Sequence, residues 1–140
     1  MSKRDAELVA QVQRGMDAYN RGDFDDAMKG VHPEIELVLA GDQQPLKGAA
    51  QFRAWMEPDA FESQVMEPLD FRVVGNKVLV RQLNHIRAAG SGFEGDFLFW
   101  NVYTHDEAGL LIRLEVYLHY QEAEALEAVG MSEQDAHDDP

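Results

Sequence analysis

The sequence predicts a single α+β domain, in which helices come first and a curved, mainly antiparallel β-sheet follows and packs against them. Three observations carry this. From Asp5 to Asn20, Leu8, Val12, Met16 and Tyr19 recur at helical spacing and form one apolar stripe. Three long extended segments, 78–88, 93–104 and 110–120, are separated only by short turn sequences, which makes them antiparallel neighbours in one sheet. A chain of 140 residues suits one core, and a sheet with an apolar face must bury it against the available helices.

Each element has a local cause. Ser2, Asp5 and Glu7 suit the start of the first helix, and Gly22 stops it. Asp23 caps a short second helix over 24–30, which ends where His32 precedes Pro33. Residues 34–40 (EIELVLA) read as a strand and 41–45 (GDQQP) as a loop. Gly48 to Glu57 is predicted helical, with Phe52, Trp55 and Met56 on one side and Pro58 closing it. Residues 61–74 read as extended, with Pro68 marking an edge or bend. Gly75-Asn76-Lys77, Gly90-Ser91-Gly92 and 105–109 (HDEAG) read as turns between the long strands, and Glu122 to Val129 as a short final helix. No internal repeat or boundary is visible. The domain is expected to span 1–130, and the acidic stretch 131–140, without apolar periodicity, to stay disordered.

Charge narrows the partners. Acidic residues outnumber basic ones 26 to 12, a formal net charge of −14. That field repels phosphate backbones and anionic bilayers, so neither nucleic acid nor membrane is an expected partner. No apolar run is long enough for a transmembrane helix, and the first residues lack the apolar stretch of a signal peptide; a cytoplasmic protein is expected. Without cysteine, disulfides, thiolate metal sites and a cysteine nucleophile are excluded. His32, His85, His105, His119 and His137 are scattered, with no pair at a metal-binding spacing; neither metal nor cofactor is expected.

The segments "AYNRGDFDDAMKGVHPEIEL" (18–37), "LKGAAQFRAWM" (46–56), "GNKVLVRQ" (75–82) and "YTHDEAGLLIRLEVYLHYQEAEALEAVG" (103–130) together resemble the SnoaL-like branch of the nuclear transport factor 2 (NTF2-like) superfamily. The resemblance implies a cystatin-like α+β roll: a strongly bent sheet wrapped round helices as a cone, with an apolar pocket at its open end. It also implies a homodimer. It implies no single activity, because the superfamily spans isomerases, cyclases, dehydratases, epoxide hydrolases and transport factors. Carried over residue by residue, the ketosteroid isomerase tyrosine falls on Gly15, its carboxylate base on Leu39 or Val38, and its protonated acid on Asn101. The acid of the epoxide hydrolase pattern falls on Val116. Glycine, leucine and valine transfer no proton, so neither pattern is met.

Strand parity then assigns the faces. Alternate side chains point to opposite sides, and the resemblance gives the Val116 side to the pocket. The pocket is therefore expected to be lined by Tyr19, Trp55, Met56, Gln82, Asn84, Phe97, Phe99, Asn101, Tyr103, Leu114 and Val116. Arg81, Leu83, His85, Leu98, Trp100, Arg113, Glu115, Tyr117 and His119 fall on the other face, the first eight suiting a dimer surface because arginine and aromatics are favoured there. The expected function is binding of a small, mostly apolar molecule, with Asn84, Asn101 and Tyr103 orienting a polar atom. An enzyme of the polyketide cyclase, dehydratase or isomerase type is the alternative, with a non-standard group drawn from Asn101, Tyr103, Asp42, Glu36 or His85. A dimeric interaction module without a ligand is the third reading.

Overall fold

The computed structural model describes residues 2–39, 44–57, 61–88, 90 and 92–131, without the side chains of 61–63. Asp42, Pro58, Ser91 and the stretch from Ser132 onward lie outside the described residues. Helix α1, Lys3–Asn20, starts two residues before the expected Asp5 because Ser2 and Asp5 form a reciprocal cap. The Asp5 N–H donates to Ser2 Oγ at 3.1 Å, and the Ser2 N–H donates to the Asp5 carboxylate at 3.4 Å. Helix α2, Phe24–Ala27, is capped by Asp23 and runs into a single 3₁₀ turn, Met28–Gly30.

Strand β1, Val31–Leu39, passes through His32-Pro33 instead of starting after them. Its pairing is irregular between Val31 and Glu36, so the missing proline N–H breaks no ladder bond. A short β2, Leu46–Lys47, precedes α3, Ala49–Met56. Then come β3, Phe61–Val74; β4, Lys77–Ala88; β5, Glu94–His105; β6, Leu111–Leu118; and α4, Glu122–Val129. The six strands form one open, mixed sheet in the order β2-β1-β6-β5-β4-β3. All neighbours are antiparallel except β1 and β6, which run parallel.

Each face of the sheet has its own core. The inner face meets α1 and α3 through Leu8, Val12, Met16, Phe52 and Met56 against Ile35, Leu37, Val78, Val80 and Leu114. The outer face carries α4, whose Ala125, Leu126 and Val129 pack on Leu79 and Val102. Gly130, at φ 94°, stops α4 in the left-handed conformation and returns its N–H to the Leu126 and Glu127 carbonyls.

Two register shifts decide which side chains face inward. The first, between Pro68 and Asp70 on β3, lets Gln64 and Met66 face inward before it and Phe71 and Val73 after it. The second lies where β5 meets β6: Thr104 pairs with Arg113, but His105 pairs with Leu111. Parity from Leu118 back to Leu114 is as expected, but at the start of β6 Leu111 faces inward instead of Leu110 and Ile112.

Candidate functional site

A cavity of about 640 Å³ lies between the inner face of the sheet and helices α1 and α3. Small-molecule sites occupy about 300–1,000 Å³, so the space suits a drug-sized compound. Helical spacing delivers Val12, Met16 and Tyr19 from α1, and Phe52, Trp55 and Met56 from α3. The sheet supplies Leu39, Met66, Phe99, Leu114, Val116 and Leu118. Trp55 is 39 % exposed yet lines the cavity, which puts this end of α3 at the rim.

Into this apolar wall β4 and β5 set a connected polar line. Gln82 and Asn84 alternate inward on β4, as do Asn101 and Tyr103 on β5, and all four are buried. Gln82 Nε2 donates to Asn84 Oδ1 at 2.9 Å, and the Tyr103 hydroxyl donates to Gln82 Oε1 at a long 3.4 Å. Burial pushes the Tyr103 hydroxyl up to about 12, against a hydrogen bond from Asn101, so it stays protonated and able to donate. The line ends at Asn101 Oδ1, buried and without a hydrogen-bond partner among the described residues.

His105 is the further residue on this wall. The sequence HDEAG reads as a turn, but β5 runs one residue longer, and parity places His105 after Phe99, Asn101 and Tyr103 on the same face. The turn is Asp106 to Leu110, where the Asp106 N–H donates to the Leu110 carbonyl and the Leu110 N–H to Asp106 Oδ1. Asn76, from the preceding hairpin, pins the strand end: its side-chain amide donates to the His105 carbonyl at 2.7 Å. The ring is buried and its Nδ1 has no partner among the described residues. Burial pushes the imidazole below the usual histidine range, and a hydrogen bond with the Asn76 backbone partly opposes this. Strand alternation extended one step past Tyr103 marks this residue.

Of the other expected lining residues, Tyr19, Trp55, Met56, Gln82, Asn84, Phe99, Asn101, Tyr103, Leu114 and Val116 border the cavity, and Phe97 does not. Phe97 is 40 % exposed and lies against Phe93, ring centroids 6.3 Å apart, because β5 continues past the helices that cover the sheet. Neither His85 nor Glu36 faces the cavity. His85 sits on the outer face between Asp96 at 2.7 Å and Glu67 at 2.9 Å, which together hold its imidazole above the usual range. Glu36 pairs with Arg113 at 2.9 Å on the same side of the sheet. Asp42 lies outside the described residues.

Part of the expected dimer face is already covered within the chain. Trp100 and Tyr117 pack on the α4 cluster. Glu115 is only 7 % exposed and accepts from the Tyr117 hydroxyl at 2.6 Å and from Arg113 Nε at 3.2 Å. Arg81 lies over the Trp100 ring at 6.0 Å. Leu83, His85 and Leu98 lie at positions of the same face without packing on α4.

With this geometry in place the family can be stated: residues 12–114 match the SnoaL-like domain, and the chain belongs to that family. The fold is shared with an NTF2-like protein of unknown function from Burkholderia pseudomallei K96243, at 16% identity and TM-score 0.73 over 93% of this chain and 99% of that one. It is shared with a protein described as a SnoaL-like polyketide cyclase from Jannaschia sp. CCS1, at 18% identity and TM-score 0.76 over 92% and 95%. The epoxide hydrolase/cyclase-like enzyme SalBIII, which acts in pyran ring formation in salinomycin, aligns at 16% identity and TM-score 0.72 over 86% and 94%. Identities this low carry the fold and no activity. The sequence matches no curated protein. Of the positions onto which isomerase and hydrolase groups carry over, Gly15, Leu39, Asn101 and Val116 line the cavity and Val38, the other position for the base, does not; none of these residues transfers a proton, and Asn101 offers only hydrogen bonds.

Among the described residues, no three His, Cys, Asp or Glu side chains are grouped to hold a metal ion. No helix among them is long and apolar enough to cross a membrane.

Proposed function

We propose that this SnoaL-like protein binds a small, mostly apolar molecule bearing a polar group in the cone cavity. The observation that carries the reading is an apolar space walled on one side by the Asn101–Tyr103–Gln82–Asn84 line, with Asn101 Oδ1 left without a partner. An unpaired buried amide oxygen costs about 1–3 kcal/mol, and valine would fill the position without that cost. A ligand hydroxyl or N–H would satisfy it, and rotation of the amide would instead offer a donor to a ligand carbonyl. The test is calorimetric titration with 2-naphthol, followed by steroid-like, terpenoid and aromatic polyketide compounds. Saturable binding with a negative heat-capacity change, weakened about tenfold in Asn101→Leu, is expected if one hydrogen bond of about 1.4 kcal/mol is lost. No binding by any compound would overturn the reading.

An enzyme of the cyclase, dehydratase or isomerase type is the second reading, favoured by one observation: a buried imidazole, His105, on the cavity wall. Self-association is proposed through the outer-face residues that do not pack on α4, Leu83, His85 and Leu98. A Leu98→Asp variant should then sediment at half the mass of the parent protein, and equal masses would contradict it.

A further inference from the structure

Helix α1 carries a glycine in its interior that none of the usual structural reasons explains. Gly15 lies well inside Lys3–Asn20, away from both caps, and borders the cavity together with Val12, Met16 and Tyr19. A glycine there weakens a helix relative to alanine, because its backbone loses the most freedom on ordering. A positive φ would require glycine, but Gly15 has none. Close approach of another part of the chain would require it too, but a Cβ built on Gly15 would meet nothing within 4 Å among the described residues. Gly30 gives the contrast: a Cβ there would lie 3.0 Å from Gln11 Nε2 and 3.3 Å from Arg14 Nη2. The neighbours of Gly15 on the same helix face all carry sizeable side chains. Val12 and Met16 are buried, and Tyr19 packs on Phe24 with ring centroids 5.8 Å apart.

We propose that Gly15 is a specificity-determining residue, where the body of the ligand rests on the bare backbone of α1, and that the ligand is a flat fused-ring molecule with a hydroxyl or carbonyl at one edge. The inference rests on the ligand-binding reading above and adds the shape of the ligand. A second, independent observation comes from the opposite wall. Asn101 is 4 % exposed, lines the same cavity, and its Oδ1 has no partner among the described residues. A polar edge held at Asn101 leaves the rest of the ligand to cross toward the helix. Val12 and Tyr19 are seven residues apart, so their side chains leave α1 about 10 Å apart along its axis. With Met16 on one side, the space over Gly15 is a notch one side chain deep. The backbone N–H and C=O groups of a helix interior are already paired, so the notch offers no donor or acceptor and selects by shape. The edge of a flat ring system enters it; a body equally thick in all directions does not. Tyr19, Phe52, Trp55 and Phe99 around it supply rings against which an aromatic ligand packs offset or edge-on. Alanine at this position would strengthen the helix and put a methyl group where the ligand lies, a loss of stability kept for the site.

Two probes of different reach test this: phenol, one ring that can meet Asn101 alone, and 2-hydroxyphenanthrene, whose three fused rings extend to α1. In the wild-type chain, bound 2-hydroxyphenanthrene should give nuclear Overhauser effects from its ring protons to the Hα pair of Gly15. Gly15→Ala should bind it about tenfold more weakly, change phenol affinity by less than about twofold, and melt about 1–5 °C higher. A lower melting temperature would mean that the glycine serves the fold. Unchanged binding of 2-hydroxyphenanthrene would mean that the ligand lies elsewhere in the cavity. Either result would overturn the role of Gly15 and leave ligand binding in place, and so would equal losses for the two probes. A wild-type chain that binds a terpenoid but neither probe would overturn the fused-ring class alone. A chain that binds none of these compounds would overturn the ligand-binding reading, and the role of Gly15 with it.

Discussion

At the scale of single residues, the cavity wall holds polar atoms where apolar ones would serve stability better. Asn101 is the plainest case. It stands between Val80 and Val116 on the neighbouring strands, with its oxygen unpaired. Asn101→Leu should leave the melting temperature unchanged or raise it, because up to about 1–3 kcal/mol of unsatisfied burial is removed. A clear fall would show that the amide serves packing. Two histidines should tilt the pH dependence of stability in opposite directions. His85 is held above its usual value by Glu67, then by Asp96. Its contribution is present below the unfolded value of about 6.5 and fades as pH rises through the folded one. His105 is held below its usual value. The unfolded chain therefore takes up the proton first, and stability falls as pH drops below about 6.5 toward the folded value. Urea melts across this range should lose the alkaline slope in His85→Gln and the acid slope in His105→Gln.

At the scale of elements, parity was legible and docking was not. Alternation along β4, β5 and β6 put Gln82, Asn84, Asn101, Tyr103 and Val116 on one face and Arg81, Leu83, Glu115 and Tyr117 on the other, and the cavity lies on the first side. Alternation is a local property and needs no partner. What it misses comes from longer range. His105 was hidden because HDEAG has turn chemistry, and only pairing with Asn76 and Leu111 draws the residue into the strand. The helix at 122–129 was visible, but not that it would lie on the outer face and cover Trp100 and Tyr117. Parallel pairing of β1 with β6 joins segments some eighty positions apart, which no local pattern encodes. The α4 contact can be weighed directly. Leu126 is 1 % exposed, and Leu126→Ala should cost about 2–5 kcal/mol in chemical unfolding. A cost near zero would mean that α4 is not part of the folded core.

At the scale of the molecule, an open six-stranded sheet packs helices on both faces but seals only one of them. On the outer side α4 sits directly on Leu79 and Val102. On the inner side α1 and α3 stand off enough to leave about 640 Å³. The same fold serves relatives described as cyclase and epoxide hydrolase/cyclase-like. The wall of this chain carries amides, a phenol and an imidazole, and Gly15, Leu39 and Val116 hold no acid there. The central claim is that this inner wall, and not the charged outer face, meets a ligand. Methyl NMR during titration with 2-naphthol tests it most directly. Saturable shifts of Leu114, Val116 and Leu118 are expected, with Leu79, Leu83 and Leu98 unmoved; shifts confined to the second group would place the ligand on the outer face instead.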